Sequence, residues 1–121
     1  MAKEKNPECV KRGRSSKRKG AAGEREAAKA IMEAFPGIEA HRGRQYHGGP
    51  GTPDVLTIDG WHLEVKRTET FNLYKALNQS REDAGTDIPT VLHRRSREKW
   101  VLCVELERLP DLINLLKPYM E

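Results

Sequence analysis

Residues 53–67 have the sequence PDVLTIDGWHLEVKR, which predicts a β-hairpin at the centre of the fold. Its centre, Asp59-Gly60, is a typical two-residue hairpin turn. The flanking runs are rich in β-branched, leucine and aromatic residues, and they predict strands over Val55–Ile58 and Trp61–Arg67. Because side chains alternate along a strand, the second strand has one apolar face and one polar face. This polar face consists of His62, Glu64 and Lys66.

Hydrophobic periodicity predicts a helix before this hairpin and further helices and strands after it. The first helix spans residues 23–35, and a short strand follows over residues 38–41. The later elements are a helix over 72–84, strands over 88–93 and 100–104, and a final helix between Pro110 and Pro118. The resulting order, αβββαββα, predicts an α/β fold with one mixed sheet flanked by helices.

Charge is distributed unevenly along the 121 residues, which include 22 Lys and Arg, 18 Asp and Glu, and carry a formal net charge of +4. Residues 1–19 contain eight basic and two acidic side chains, which leaves 14 basic and 16 acidic residues for positions 20–121. We therefore predict a basic, disordered arm over residues 1–19 and a single domain over residues 20–121. The arm is either solvated or in contact with DNA phosphates. The acidic balance of the domain argues against a protein that coats nucleic acid uniformly.

Three features predict a soluble protein in the reducing cytoplasm. No apolar run approaches the roughly 18 residues that a membrane span requires. The basic N-terminus is not followed by the apolar region of a secretory signal. Cys9 and Cys103 do not form the pattern of a disulfide-stabilised secreted domain.

Two carboxylates can meet in the central hairpin. Asp54 precedes the first strand, and Glu64 lies on the second strand with Lys66 on the same face. Converging carboxylates suit a hard cation such as Mg²⁺, and a neighbouring lysine can orient or deprotonate a water. A regular two-residue turn would pair Asp54 with Val65 and place Asp54 on the face opposite Glu64. We therefore predict a three-residue turn, a bulge, or a bend at Pro53-Asp54.

The first helix contributes a third carboxylate. At about 100° per residue, Glu24 lies within the apolar stripe of Ala28 and Ile31, so it faces the protein interior and needs a cationic partner or a site role. The alternative is a charge near the helix N-terminus that the helix dipole favours. Glu26 lies on the opposite side of the helix, and we expect it to be solvated.

Pro53-Asp54 followed by Glu64-Val65-Lys66 resembles the motif of PD-(D/E)XK nucleases. The sequence of residues 19–27, KGAAGEREA, is similar to the opening helix of the archaeal-type and phage Holliday junction resolvases in that superfamily. The resemblance extends from Lys19 to Val104. The Gly- and Pro-rich loop of residues 43–53 departs from the family pattern.

The resemblance implies a restriction-endonuclease-like core and a Mg²⁺ centre in which Mn²⁺ can substitute. It implies that Asp54, Glu64 and the main-chain carbonyl of Val65 hold the metal, with Glu24 as an additional acidic group near it. Lys66 would act at the attacking water. A homodimer is implied as well, because a four-way junction is cut symmetrically.

Candidate DNA contacts are basic side chains and one glutamine. They are Lys17, Arg18, Lys19, Arg25, Arg42, Arg44, Gln79, Arg94, Arg95 and Arg97. Packing explains Gln79 equally well, and a solvated hairpin tip is the simplest explanation for residues 94–99. The histidines share no metal-ligand spacing, so we expect them at the surface or on phosphates. They are His41, His47, His62 and His93.

The principal hypothesis is a Mg²⁺-dependent DNA endonuclease that resolves Holliday junctions in DNA recombination. One alternative is a PD-(D/E)XK nuclease that acts on other branched, nicked or single-stranded DNA. The other is a DNA-binding relative without catalytic activity. The presence of Glu24, Asp54, Glu64 and Lys66 in one chain argues against this last alternative.

Overall fold

The computed structural model describes residues 7–43 and 53–120, with side chains from residue 20 onwards in these ranges. Helices and strands follow one another in the order αβββαββα, as predicted. They are α1 (Pro7–Ala34), β1 (His41–Arg42), β2 (Val55–Leu56), β3 (Trp61–Arg67), α2 (Leu73–Ala84), β4 (Ile88–Arg94), β5 (Val101–Val104) and α3 (Leu109–Leu116). Short 3₁₀ turns flank α3 at Leu106–Arg108 and Lys117–Tyr119.

The five strands form one mixed sheet in the order β1-β2-β3-β4-β5. Strand β3 lies at its centre, antiparallel to β2 and parallel to β4. The outer pairs, β1 with β2 and β4 with β5, are antiparallel. Parallel neighbours require a crossover connection, and α2 supplies it between β3 and β4. The predicted α/β class with a mixed sheet flanked by helices is confirmed.

The two faces of the sheet are covered differently. On one face, apolar residues of α1 and α3 pack against the apolar side of β3 and its neighbours. The members of this main core include Ala27, Ala28, Ile31, Trp61, Leu63, Leu92, Leu112 and Leu116. On the other face, α2 covers a smaller apolar cluster of Ala76, Leu77 and Val91. The polar face of β3 therefore lies on the α2 side of the sheet, where apolar packing is sparse.

Helix α1 begins at Pro7, so the predicted start at Gly23 is wrong. Residues 7–19 of the predicted disordered arm have a helical backbone, and residues 1–6 lie outside the described ranges. Proline is common at the first position of a helix, and the Lys, Arg and Glu residues of this segment are good helix formers. Periodicity missed the segment because these residues provide no apolar stripe. The division into an arm and a single domain stays a prediction.

The length and hydrophobicity of a helix decide whether it can cross a membrane. Helix α1 is long, at 28 residues, but it is rich in charged side chains. No helix within residues 7–43 and 53–120 combines the length and hydrophobicity needed to cross a membrane.

We predict that Leu63→Ala lowers the free energy of unfolding by about 2–5 kcal/mol, because the truncation leaves a cavity in the main core. Leu63 is 0% exposed. Leu106→Ala is the matched control, since Leu106 is 82% exposed, and we expect a change within about 0.5 kcal/mol. Urea unfolding of both variants measures this, and equal losses would contradict the described packing.

Candidate catalytic site

The hairpin between β2 and β3 is irregular. Val55 pairs with Leu63, whereas a regular two-residue turn would pair Val55 with Glu64. The amide of Asp54 also donates to the carbonyl of Leu63, at 3.0 Å, so two consecutive residues of one strand face a single residue of the other. This two-to-one count defines a β-bulge. The predicted departure from a regular hairpin is confirmed.

The carboxylate of Asp54 takes the place of a backbone partner for β3. Its Oδ2 accepts a hydrogen bond from the amide of Val65 at 2.8 Å. The backbone amides of a strand point sideways, in the plane of the sheet, toward the neighbouring strand. The carboxylate of Asp54 therefore lies beside β3 in that plane, level with Val65, the residue between Glu64 and Lys66. Asp54 is 7% exposed, so the carboxylate is largely shielded from solvent.

A glycine allows β1 to support this position. The amide of Gly43 donates to the carbonyl of Asp54 at 2.9 Å. A Cβ atom at Gly43 would lie 2.0 Å from the carbonyl oxygen of Pro53, a distance that no side chain tolerates. Only glycine therefore permits β1 to approach Pro53-Asp54 this closely.

The polar face of β3 is buried beneath α2. Glu64 is 4% exposed, and its Oε1 lies 2.8 Å from Nε2 of His62. Lys66, further along the same face, donates from Nζ to Oε1 of Gln79 on α2 at 3.3 Å. The expectation that His62 lies at the surface is wrong, because it is 1% exposed. The sequence left two roles open for Gln79, packing and a role in the site. In the structure it contacts Lys66, the predicted catalytic lysine.

Glu24 lies inside the protein, as its position on the apolar stripe of α1 predicted. It is 7% exposed, and its Oε2 lies 3.8 Å from Nε of Arg42 on β1. This arginine supplies the cationic partner that a buried carboxylate requires. Glu24 belongs to the α1 side of the sheet, whereas Glu64 faces α2.

The predicted carboxylates do not gather in a single cluster. Within the described ranges, one group of three His, Cys, Asp or Glu side chains has all its ligand atoms within 4.8 Å of one another, and it consists of His62, Glu64 and Asp83. Glu24 and Asp54 are outside this group, since Glu24 lies on the α1 side and Asp54 beside the edge of β3. Sequence reasoning missed His62 and Asp83 as site residues. His62 could have been identified from the sequence, because the alternation of side chains along β3 places it on the same face as Glu64 and Lys66.

The predicted DNA contacts fall into three groups. Arg25, Arg95 and Arg97 are exposed, as a role in DNA binding requires. Arg94 and Arg42 are partly buried in ion pairs with Glu26 and Glu24. Arg44 lies outside the described ranges, as do the side chains of Lys17, Arg18 and Lys19.

An ion-pair network connects α1 with the ends of β3 and β4. Glu26, expected to be solvated, keeps a side chain that is 36% exposed, and it pairs with Arg94 and lies 3.7 Å from Arg67. Nearby, the amide and hydroxyl of Ser96 donate to the carboxylate of Glu69 at 2.9 and 3.0 Å, and these hydrogen bonds hold the pKa of Glu69 below its ordinary value. The network fixes the start of the β4–β5 loop against α1.

No protein-family model, curated protein or solved structure matches the chain.

We predict that Gly43→Ala lowers the free energy of unfolding by about 1–3 kcal/mol, because the new methyl group breaks the Gly43–Asp54 hydrogen bond or displaces Pro53. Gly20→Ala is the matched control. Gly20 lies in α1 with no atom within 4 Å of an added Cβ, and we expect a gain of about 0.5–1 kcal/mol from helix propensity. Thermal and urea unfolding measure both signs, and a Gly43→Ala protein as stable as the parent would contradict the close approach.

Proposed function

We propose that the protein is a metal-dependent DNA endonuclease of the PD-(D/E)XK type, with a restriction-endonuclease-like core, that hydrolyses phosphodiester bonds of four-way DNA junctions. The observation that carries the proposal is the hydrogen bond from the amide of Val65 to the carboxylate of Asp54. It brings the Asp of the motif to the residue that separates Glu64 from Lys66. This contact supports the proposal because it joins two parts of the motif that are 11 positions apart in the sequence.

The types of donor atom that these residues offer suit a hard divalent cation. Asp54 and Glu64 offer carboxylate oxygens, and the carbonyl of Val65 adds a neutral oxygen. Mg²⁺ prefers such oxygen ligands, and Mn²⁺ accepts them as well. In the proposed enzyme these residues hold the ion, with Glu24 as a further acidic group on the α1 side. The ion would offset the charge that develops on the phosphate during hydrolysis.

Lys66 is the residue proposed to act on the attacking water. Its contact with Gln79 holds the ammonium group toward α2. Both side chains line a cleft of about 190 Å³ that also includes Asn72 and Lys75. An ammonium group in this position can orient a water molecule and stabilise negative charge on the phosphate. Gln79 is therefore proposed as the residue that positions Lys66.

DNA is the proposed substrate because the domain carries exposed arginines that could contact phosphates. Arg25 on α1 and Arg95 and Arg97 in the β4–β5 loop are exposed. Such side chains contact phosphates without reading sequence. A homodimer is proposed because symmetric cleavage of a four-way junction needs two copies of the site. The proposed location is the cytoplasm, where the substrate DNA of such an enzyme lies.

Cleavage of a synthetic four-way junction and of a matched linear duplex, with Mg²⁺, tests the proposal. We expect the wild-type protein to cut the junction in preference to the duplex. Asp54→Asn should reduce cleavage by at least about 100-fold, as expected when one group that stabilises the transition state is removed. Asp59→Asn, the same chemical change at an exposed position of the same hairpin, should leave cleavage unchanged.

Each outcome separates the alternatives. Cleavage of neither substrate would leave a DNA-binding protein without catalytic activity. Equal cleavage of both would remove the preference for junctions and retain the nuclease. Cleavage by Asp54→Asn at the wild-type rate would show that Asp54 has no catalytic role.

We also predict that basic residues near the start of the chain contact phosphates. Replacing Lys17, Arg18 and Lys19 together by Gln should reduce the slope of log K against log[salt] for junction binding by about 0.9 for each phosphate that the variant no longer neutralises. Lys117→Gln, an exposed lysine near the end of α3, should leave the slope unchanged. Fluorescence anisotropy in buffer without Mg²⁺ measures both slopes. An unchanged slope in the triple variant would show that these three residues are solvated and do not contact DNA phosphates.

A further inference from the structure

A buried histidine and two carboxylates meet on the α2 side of the sheet. His62 and Glu64 are almost completely buried, and Nε2 of His62 lies 2.8 Å from Oε1 of Glu64. The half-buried Asp83 of α2 completes the group, and the ligand atoms of all three lie within 4.8 Å of one another. We refer to these three residues as the His62–Glu64–Asp83 cluster.

The chain builds this cluster from two simple periodicities. His62, Glu64 and Lys66 share one face of β3 because they are two residues apart. Gln79 and Asp83 share one face of α2 because they are four residues apart. Lys66 contacts Gln79, and His62 and Glu64 lie close to Asp83. The polar face of β3 therefore packs against the face of α2 that carries Gln79 and Asp83. The cluster and the Lys66–Gln79 pair therefore occupy opposite ends of the same interface.

The carboxylates of the cluster have no lysine or arginine partner in the described part of the chain. In the described ranges, neither Glu64 nor Asp83 has a Lys or Arg nitrogen within 4.0 Å, and the ion-pair partner of Glu64 is His62. Other acidic residues of the molecule do have arginine partners, including Glu26 with Arg94 and Glu105 with Arg81. A divalent cation at this position could accept one oxygen from each carboxylate and the imidazole nitrogen together.

We propose that the His62–Glu64–Asp83 cluster binds a first-row transition-metal ion, for which Mn²⁺ and Zn²⁺ are the probes. One imidazole nitrogen with two carboxylates is a typical ligand set for these ions, whereas Mg²⁺ is bound through oxygen. Asp83 is the partly exposed member of the cluster, so it is the ligand that an ion from solvent would meet first. Once bound, the ion joins β3 to α2 and fixes the orientation of Glu64.

This site is distinct from the Mg²⁺ centre proposed at Asp54, although the two share Glu64. It goes beyond the proposed function because it depends on three side chains and does not require that DNA is cut. Metal binding through Asp83 and DNA cleavage through Asp54 can therefore succeed or fail separately.

Titration of the metal-stripped protein with MnCl₂ or ZnCl₂, followed by calorimetry and thermal unfolding, tests the proposal. We expect the wild-type protein to bind the ion and to unfold at a higher temperature in its presence. Asp83→Asn should weaken binding by at least about tenfold and reduce the rise in unfolding temperature. Glu82→Gln, an exposed neighbour on the same helix, is the matched control and should bind as the wild type does.

The Asp54→Asn background isolates the site, because the centre proposed for DNA cleavage then lacks one ligand. Adding Asp83→Asn to Asp54→Asn should remove the remaining Mn²⁺ binding, with circular dichroism confirming that the fold is kept. His62→Gln should weaken Zn²⁺ binding more than Mg²⁺ binding, since the missing ligand is a nitrogen. The proposal is overturned if the wild-type protein binds neither Mn²⁺ nor Zn²⁺, or if Asp83→Asn binds them as tightly as Glu82→Gln does.

Discussion

The amide of Val65 donates to the carboxylate of Asp54 at 2.8 Å, at the point where β2 stops pairing regularly with β3. A strand that continued along β3 would have offered a backbone carbonyl to this amide. The bulge at Asp54 and Val55 removes that partner, and a side-chain oxygen replaces it. The result is a carboxylate held beside the central strand of the sheet, level with Glu64 and Lys66, without loss of the hydrogen bond that a buried amide requires.

This arrangement depends on a difference between the two faces of the sheet, of which one is mainly apolar and the other partly polar. The face toward α1 and α3 holds the main core, in which Leu63 and Trp61 are fully covered. The face toward α2 holds few apolar side chains, so His62, Glu64 and Lys66 can lie there among polar groups. Burial of polar groups costs free energy unless they are hydrogen-bonded or paired. His62 with Glu64 and Lys66 with Gln79 form such pairs within the protein. The proposed cations would bind the remaining carboxylate oxygens.

The sequence predicted the parts of the structure that depend on local periodicity. Alternation within β3 and the stripe of α1 identified the buried positions of Leu63 and Glu24, because neighbouring residues alone decide which side of a strand or helix faces the core. The need for an irregular hairpin followed from chain geometry, since a regular turn would have separated Asp54 from Glu64.

Contacts between elements far apart in sequence could not be predicted in this way. Glu26 and Arg94 are 68 positions apart, and nothing in the pattern of α1 indicates that the end of β4 reaches it. Asp83 lies on the polar side of α2, where a carboxylate is ordinary, and only the packing of α2 on β3 brings it to His62. The helical start at Pro7 has no apolar stripe and so left no signal in the periodicity.

We propose that the β2–β3 bulge creates a cation site between Asp54 and Glu64. Anomalous diffraction from crystals soaked in Mn²⁺ tests it most directly, because the scattering peak locates the ion among its ligands. We predict a peak bonded to the carboxylates of Asp54 and Glu64 and to the carbonyl of Val65. A peak confined to His62, Glu64 and Asp83, with Asp54 still bonded to the amide of Val65, would contradict it.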